Sequence, residues 1–149
     1  MYETHAIGDR VYFADESALF EWDGKNVRRL YNDIGIMRVM PVGDRLFVQT
    51  AERGLLELQR GRLQPVPGGG FFKDGADRIA CIIPVDRDRL FIAARKSGFL
   101  FYQDGKFVPA WSPDISSRLP RDLTRGTLLS DGTFALGTVS HGLWIVDRD

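Results

Sequence analysis

The chain contains an internal repeat with a period of 44 residues. The segment RLFVQTAERGLLELQRGRLQPV starts at Arg45 and returns as RLFIAARKSGFLFYQDGKFVPA, which starts at Arg89. The same shift carries Gly54 to Gly98 and Gly98 to Gly142. A shorter and more divergent copy opens the chain. A period of this length, made of short alternating strands, predicts the blades of a β-propeller.

Each copy reads as four short strands, as the third copy illustrates. Residues 78–85 form a nearly continuous apolar run, which is typical of an inner strand buried on both faces. Two further strand-like runs follow at residues 89–94 and 97–103. Asp104-Gly105 then predicts a tight hairpin in which both turn residues take a positive φ, before an outer strand over residues 106–111.

We therefore predict an all-β fold, a β-propeller segment of about four blades, each a four-stranded antiparallel sheet. The last blade lacks its outer strand. The chain reads as one partial propeller domain over residues 1–149, with blades at about 2–31, 36–67, 78–111 and 119–149. Two interpretations of the incomplete blade stay open. The chain is a piece of a larger propeller, or two copies form a homodimer that completes one ring.

Composition excludes some classes of partner. Lys and Arg total 20 and so do Asp and Glu, so the net charge is zero. A nucleic-acid-binding domain usually carries a basic excess, and we expect no nucleic-acid partner. No apolar stretch is long enough to span a bilayer, so we expect no direct membrane insertion. The single Cys81 cannot form an internal disulfide and lies in an apolar strand, which favours a buried thiol.

The repeated glycine has a predicted role. Gly54, Gly98 and Gly142 each open the third strand of a blade, directly after a short polar turn. Glycine there can take a positive φ or let two backbones approach closely. We therefore expect a side chain at these positions to be costly.

The fourth copy resembles the two-component regulator propeller repeat. That repeat has a leading Leu-Pro, an Asp-Gly turn, an LWIGT-like strand and a Gly-Leu-aromatic strand. Leu119-Pro120, Asp131-Gly132, Phe134–Thr138 and residues 142–144 match it in turn. LFVQTAERGLLEL and LFIAARKSGFLFY match its second half. The Gly-Thr pair at residues 137–138 is intact only in this copy, and the signatures of WD repeats are missing.

The resemblance implies a function that the composition does not show. Proteins with this repeat commonly use it as the extracytoplasmic sensing part of histidine kinases or diguanylate cyclases. The resemblance thus implies a non-catalytic sensor that binds a small molecule, often a carbohydrate, and signals to a neighbouring signalling domain. It also implies a periplasmic or extracytoplasmic location within a larger membrane-anchored protein, although the sequence is compatible with cytoplasm as well.

The candidate ligand-binding residues lie in loops that share one face of a propeller. These loops join the second strand to the third, and the outer strand to the next blade, and such loops often carry function. The candidates are Glu16, Arg53, Arg95, Lys96, His141, Phe71 and Phe72. For each charged residue the alternative is a solvated rim. For GGGFFKDG at residues 68–75, the alternative is that both aromatic side chains tuck under a neighbouring blade.

Nothing in the sequence argues for catalysis. His5 and His141 stand alone, whereas a zinc site needs three or four converging ligands. The adjacent Ser140 and His141 do not by themselves make a nucleophilic relay. We expect no enzyme activity, no metal and no cofactor. Two rival functions remain, which are a protein-interaction propeller and part of a propeller-type lyase or glycosidase.

Overall fold

A computed structural model describes residues 3–32 and 35–148. Tyr2, which was predicted to open the first strand, lies outside the described residues. So do Asp33 and Ile34 of the predicted loop at residues 32–35, and Asp149 at the end of the predicted fourth blade. The chain divides into two compact units, Met1–Ala76 and Asp77–Asp149.

The first unit opens with an antiparallel four-stranded meander. Its strands are β1 (Glu3–Ile7), β2 (Arg10–Ala14), β3 (Leu19–Trp22) and β4 (Val27–Tyr31), hydrogen-bonded in that order. The turn between β3 and β4 is closed by Asp23, whose carboxylate accepts from the backbone N–H groups of the second and third residues after it. Aspartate is favoured at such turns for this reason.

The second sheet of this unit repeats the meander. It comprises β5 (Ile36–Val42), β6 (Arg45–Thr50), β7 (Gly54–Gln59) and β8 (Arg62–Pro65). A 3-10 segment at Gly69–Gly75 follows. The core of the unit combines side chains of both sheets, and Leu19, Val48 and Leu56 are completely buried in it.

Blade one also buries a carboxylate. Glu21 is only 4% exposed, and it accepts a hydrogen bond from the Tyr12 hydroxyl and pairs with Arg10 and Arg28 at 2.9 and 2.8 Å. Burial raises the pKa of Glu21, but the hydrogen bonds from these three partners outweigh it and hold that pKa below its usual value. The buried charge is therefore paired, as a buried carboxylate must be.

The second unit contains one four-stranded and one three-stranded sheet. The first is β9 (Ile79–Pro84), β10 (Leu90–Ala94), β11 (Gly98–Gln103) and β12 (Lys106–Pro109). The predicted hairpin turn is confirmed, since Asp104 and Gly105 have φ of 51° and 76°.

A short helix, α1 (Pro113–Arg118), leads to the three-stranded sheet of the second unit. Its strands are β13 (Leu123–Leu128), β14 (Phe134–Thr138) and β15 (Leu143–Val146). Among the described residues, no strand pairs with the outer edge of β15.

Aromatic side chains dominate the core of the second unit. Phe91 and Phe134 are fully buried and stack with their ring centroids 4.3 Å apart. Trp111 packs on Phe91 and Phe99 at 5.4 Å from each. Trp111 therefore packs in the core, and Cys81 is buried as predicted.

The predicted fold class is confirmed. The chain is an all-β propeller segment whose last described blade has three strands. The sequence shows no convincing helical period, whereas the structure has α1 and the 3-10 segment. Both are too short to produce a period. The first turn of α1 is instead favoured by Pro113 and Asp114, which suit the start of a helix.

Candidate functional site

The loops after the second strands are tied to the sheets by a repeated backbone hydrogen bond. The N–H groups of Ala51, Arg95 and Val139 each donate to a carbonyl just before the inner strand of the same blade, at 2.8, 2.9 and 3.0 Å. The three donors follow one another at the 44-residue period. Each of these loops between a second and a third strand is therefore held to its own sheet by the same hydrogen bond at the same repeat position.

The glycine that closes each of these loops takes the predicted conformation. Gly54, Gly98 and Gly142 have φ of 76°, 76° and 73°. The surroundings differ, because a Cβ at Gly98 or Gly142 would meet nothing within 4 Å. A Cβ at Gly54 would collide with the backbone of Gly69 and Gly70. The positive φ is common to the three repeats, and the close approach occurs at Gly54.

The Asp77 carboxylate holds the loop over residues 95–97 by hydrogen bonds. Asp77 is 6% exposed, and its carboxylate accepts from the backbone N–H of Lys96 at 2.7 Å and of Ser97 at 3.0 Å. The Ser97 hydroxyl donates to the same carboxylate. Three donors on one buried carboxylate hold the loop in one conformation.

Asp122 makes the corresponding contacts in the next blade. It accepts from the Ser140 N–H at 2.9 Å and from the Ser140 hydroxyl at 2.6 Å. The imidazole Nδ1 of His141 lies 3.0 Å from both carboxylate oxygens. The loop over residues 139–141 is thus fixed in the same way as the loop over residues 95–97.

Ser140, His141 and Asp122 meet in space, which the sequence did not predict, but they do not form a catalytic relay. In such a relay the serine donates to one imidazole nitrogen and the aspartate faces the other. Here the serine hydroxyl donates to Asp122, and both groups lie at the same Nδ1, the serine at 3.3 Å. The arrangement fixes a loop and does not activate a nucleophile.

The contacts of Asp122 predict a pH dependence. The pKa of Asp122 is lowered from 3.8 to about 2, mainly because the Ser140 hydroxyl donates a hydrogen bond to the carboxylate. Partial burial raises this pKa, and the hydrogen bond with His141 lowers it further. A lowered pKa stabilises the fold fully above about pH 4, and this contribution is lost as the pH falls through about 2. We expect Ser140→Ala to return the pKa of Asp122 towards 3.8 in a carboxyl-carbon NMR titration. Ser130→Ala, in a distant turn, should leave it unchanged, and equal titration curves for Ser140→Ala and the parent chain would refute the assignment.

In the first unit, three of the predicted site residues are exposed and one is not. Glu16, Arg53 and Phe71 are exposed, Phe71 at 60%. Phe72 is completely buried, and its carbonyl accepts from the Gln49 side chain at 3.2 Å. The prediction that Phe72 binds ligand is therefore corrected. A buried ring under the loop cannot reach a ligand on the surface, and Phe72 instead supports the loop by packing.

In the second unit the predicted residues Arg95, Lys96 and His141 are all exposed, on the two fixed loops. Two further exposed cations, Arg78 and Arg121, lie beside them. The Arg78 carbonyl accepts from the Arg95 N–H, and the Arg121 guanidinium donates to the Lys96 carbonyl at 3.1 Å. Sequence reasoning missed both cations because every charged candidate came from a loop between the second and third strands, whereas these two lie between the outer strand of one blade and the inner strand of the next.

The aspartates that fix the loops were missed as well. A sequence signal existed, since Asp77 stands two residues before β9 and Asp122 stands immediately before β13. An aspartate that recurs at the start of inner strands, away from the hairpin turns, could have identified them. Their partners lie 18 to 20 residues further along the chain, so local turn chemistry gave no indication.

The described part of the chain contains no cluster of metal ligands and no membrane-spanning helix. Within residues 3–32 and 35–148, no three His, Cys, Asp or Glu side chains converge as metal ligands. Over the same residues, no helix has the length and apolar character needed to cross a bilayer. His5, one of the two histidines, lies 3.4 Å from the neighbouring Glu3 carboxylate.

Comparison with known proteins identifies structural neighbours but no family. No protein-family model and no curated protein sequence matches the chain. Among solved structures, the extracellular domain of BT3049 from B. thetaiotaomicron, named as a hybrid two component system, aligns with a TM-score of 0.65 and 18% identity over 94% of the chain. The extracellular domain of BT4673 from the same organism, named as a one component system, aligns with a TM-score of 0.52 and 12% identity over 96%.

A domain from a differently named protein aligns comparably. The N-terminal domain of Nup159 gives a TM-score of 0.54 and 16% identity over 92% of the chain. The chain spans 39% of that domain, 22% of the BT3049 domain and 26% of the BT4673 domain. At these identities the likeness establishes the fold, and function has to be argued from the site.

Proposed function

We propose that the chain is a non-catalytic binding segment of an extracytoplasmic bacterial sensor propeller, and that the loop face of its second unit recognises an anionic small molecule, such as an acidic carbohydrate. The observation that carries this proposal is a set of four exposed cations on loops that are already fixed: Arg78, Arg95, Lys96 and Arg121. The two signalling-protein neighbours support the sensor context.

Charge and rigidity together favour an anion. Asp77 and Asp122, which lie under these loops, direct their carboxylates to loop N–H and hydroxyl groups. Because the loops are already held in one conformation, less ordering entropy is lost when a ligand binds. Several cations on fixed loops bind a carboxylate or sulfate better than a neutral ligand of the same shape.

The test is isothermal titration calorimetry with two probes of equal length, a galacturonic acid oligomer and a neutral maltooligosaccharide. We expect the acidic probe to bind and the neutral probe to bind at least tenfold more weakly. Arg95→Ala and Lys96→Ala should each weaken the acidic probe about tenfold, since each removes a charge-assisted contact.

Arg87→Ala is the matched control, because Arg87 is an exposed cation in the turn at the opposite end of the same sheet. It should leave the affinity unchanged. Equal binding of both probes, or an equal loss from Arg87→Ala, would contradict the proposal.

A second candidate function rests on one observation in the first unit. Phe71 is 60% exposed beside three glycines, in edge-to-face contact with the buried Phe72 at 5.1 Å. An exposed aromatic ring on a supported loop suits a contact with another protein. In this protein-interaction alternative, Phe71→Ala would abolish binding to a partner, and Arg95→Ala would leave that binding unchanged.

A further inference from the structure

Two connecting segments stand at the same position of the repeat, the Gly69–Gly75 segment after β8 and α1 after β12. Just before the first segment, the N–H of Val66 donates to the Leu55 carbonyl at 3.0 Å. Just before the second, the N–H of Ala110 donates to the Phe99 carbonyl at 2.8 Å. The donors are 44 residues apart, as are the acceptors. The two segments therefore leave equivalent points of two complete blades, and their contacts can be compared directly.

The Gly69–Gly75 segment closes on its own blade. Its Phe72 ring is completely buried, and the Phe72 carbonyl accepts from the Gln49 side chain at 3.2 Å. The segment packs along β7, and a Cβ at Gly54 would collide with its backbone. The buried ring and the glutamine hydrogen bond thus anchor this segment, and it fills the space at Gly54.

The connecting segment of blade three lacks both of these anchors. Ala93 stands 44 residues after Gln49 and has no side-chain donor. Ser116 stands 44 residues after Phe72 and has no ring, and its hydroxyl donates to the Trp111 carbonyl at 3.5 Å, just before α1. No residue of α1 is buried, and α1 does not pack along β11 in the way that the first segment packs along β7. α1 is therefore not drawn onto its blade.

The position at Gly98 is open as a result. A Cβ at Gly98 would meet no atom of the described residues within 4 Å, its chain neighbours excepted. Gly98 is half-buried, whereas Gly54 is buried at the same repeat position of the preceding blade. The space beside Gly54 is filled by the peptide unit between Gly69 and Gly70. Because the two glycines have the same φ of 76°, a group as thick as a peptide unit fits beside Gly98.

Exposed cations lie close to this open position. Lys96 and Arg95 stand two and three residues before Gly98, in the loop that Asp77 holds. The Arg121 guanidinium donates to the Lys96 carbonyl at 3.1 Å, which places a third positive charge at the same loop. Glycine lets a ligand approach the backbone closely, and these cations suit a carboxylate beside it.

We propose that the open position at Gly98 receives a sugar ring of the anionic ligand, whose carboxylate pairs with Arg95, Lys96 and Arg121. The ring lies against the Gly98 backbone where blade two has its own peptide unit. This inference rests on the proposed function and deepens it, because it assigns the contact that selects a ring bearing a carboxylate. Gly98, which has no charge, thereby becomes a residue of the binding site.

Calorimetry with Gly98→Asn and Gly142→Asn tests this contact. Asparagine tolerates a positive φ better than most residues, and both positions are open, so both variants should fold like the parent chain. We expect Gly98→Asn to weaken binding of the galacturonic acid oligomer at least about tenfold, because the new side chain occupies the place of the ring. Gly142→Asn should bind the oligomer like the parent chain. Equal affinities of the two variants would overturn the proposal.

The outcomes separate this proposal from the proposed function. If Arg95→Ala weakens binding of the oligomer and Gly98→Asn does not, the cations bind the anion and the ring lies elsewhere. Only the contact at Gly98 is then overturned. If the parent chain does not bind the oligomer, the proposed function fails and this inference fails with it.

An isotope-filtered NOESY experiment tests the same contact without a variant. The protein is labelled with ¹³C and ¹⁵N and saturated with the unlabelled galacturonic acid oligomer. We expect intermolecular NOEs between the sugar ring protons and the Gly98 Hα that stands in place of a Cβ. NOEs to the Gly142 Hα protons instead, or none at Gly98 while the oligomer is bound, would contradict the proposal.

Discussion

Gly54→Ala should destabilise the protein by about 2–4 kcal/mol. The residue has a φ of 76°, which costs a non-glycine residue about 1 kcal/mol or more. The new Cβ would also lie 3.0 Å from the carbonyl carbon of Gly69 and 3.1 Å from the Cα of Gly70. Both contacts are with backbone, so relief requires the Gly69–Gly75 segment to move, which adds an overpacking cost of about 1–3 kcal/mol.

Gly98→Ala and Gly142→Ala are the matched controls for this prediction. They share the positive φ, but a Cβ at either position meets nothing within 4 Å. Each should therefore cost about 1 kcal/mol. The measurement is the free energy of unfolding from urea denaturation. Equal losses for Gly54→Ala and Gly98→Ala would show that the close approach of the Gly69 backbone is not part of the folded state.

Asp77→Ala should cost about 3 kcal/mol and release the loop over residues 95–97. The variant leaves two backbone N–H groups and the Ser97 hydroxyl without their acceptor in a partly buried place. Unsatisfied buried donors cost about 1–3 kcal/mol each, less where water can reach them. Urea denaturation measures the loss, and amide hydrogen exchange at Lys96 and Ser97 reports on the loop.

Asp86→Ala provides the comparison for Asp77→Ala. Asp86 is an exposed aspartate in the turn between β9 and β10, where it accepts from the Asp88 N–H and pairs with Arg89. Exposed pairs contribute little, so this variant should cost less than about 1 kcal/mol and leave exchange at Lys96 and Ser97 unchanged. Protected Lys96 and Ser97 amides in Asp77→Ala would mean that the backbone alone fixes the loop.

The fold could be predicted because the same pattern of strands and turns recurs along the sequence. The apolar run Leu90–Ala94 alone does not distinguish a strand from a buried helix, but it recurs in the same register as Arg45–Thr50 and Phe134–Thr138. A glycine at a fixed offset marks the start of each following strand. Agreement between the copies thus replaces the missing tertiary information.

The loop supports could not be predicted in the same way. Asp77 and Ser97 are 20 residues apart and meet only when β9 and β10 are paired. The clash at Gly54 depends on the close approach of the Gly69–Gly75 segment, whereas α1, at the corresponding position of the next blade, leaves open space around a Cβ at Gly98. A repeat predicts the strands and turns that all blades have in common, whereas a binding site consists of residues that differ between the blades. The exposed cations of the second unit and the buried Phe72 are residues of the latter type.

The fold alone does not determine the function, which depends on the residues that differ between the blades. The same arrangement of strands aligns with two extracellular domains of signalling proteins and with the N-terminal domain of Nup159. A propeller is a scaffold that hosts different functions through its loops. The charge, exposure and attachment of the loops are therefore the properties that an experiment should address.

The most direct measurement is the map of backbone amide shifts in ¹⁵N-labelled protein on addition of the galacturonic acid oligomer. We predict that the largest shifts fall on Arg78, Arg95, Lys96 and Arg121, and that they decrease with added salt because the interaction is between charges. Amides of the turns at the opposite end of the same sheet, around Arg87 and Gly105, should not move. Shifts centred on those turns, or none in the loops at saturation, would contradict recognition at this face.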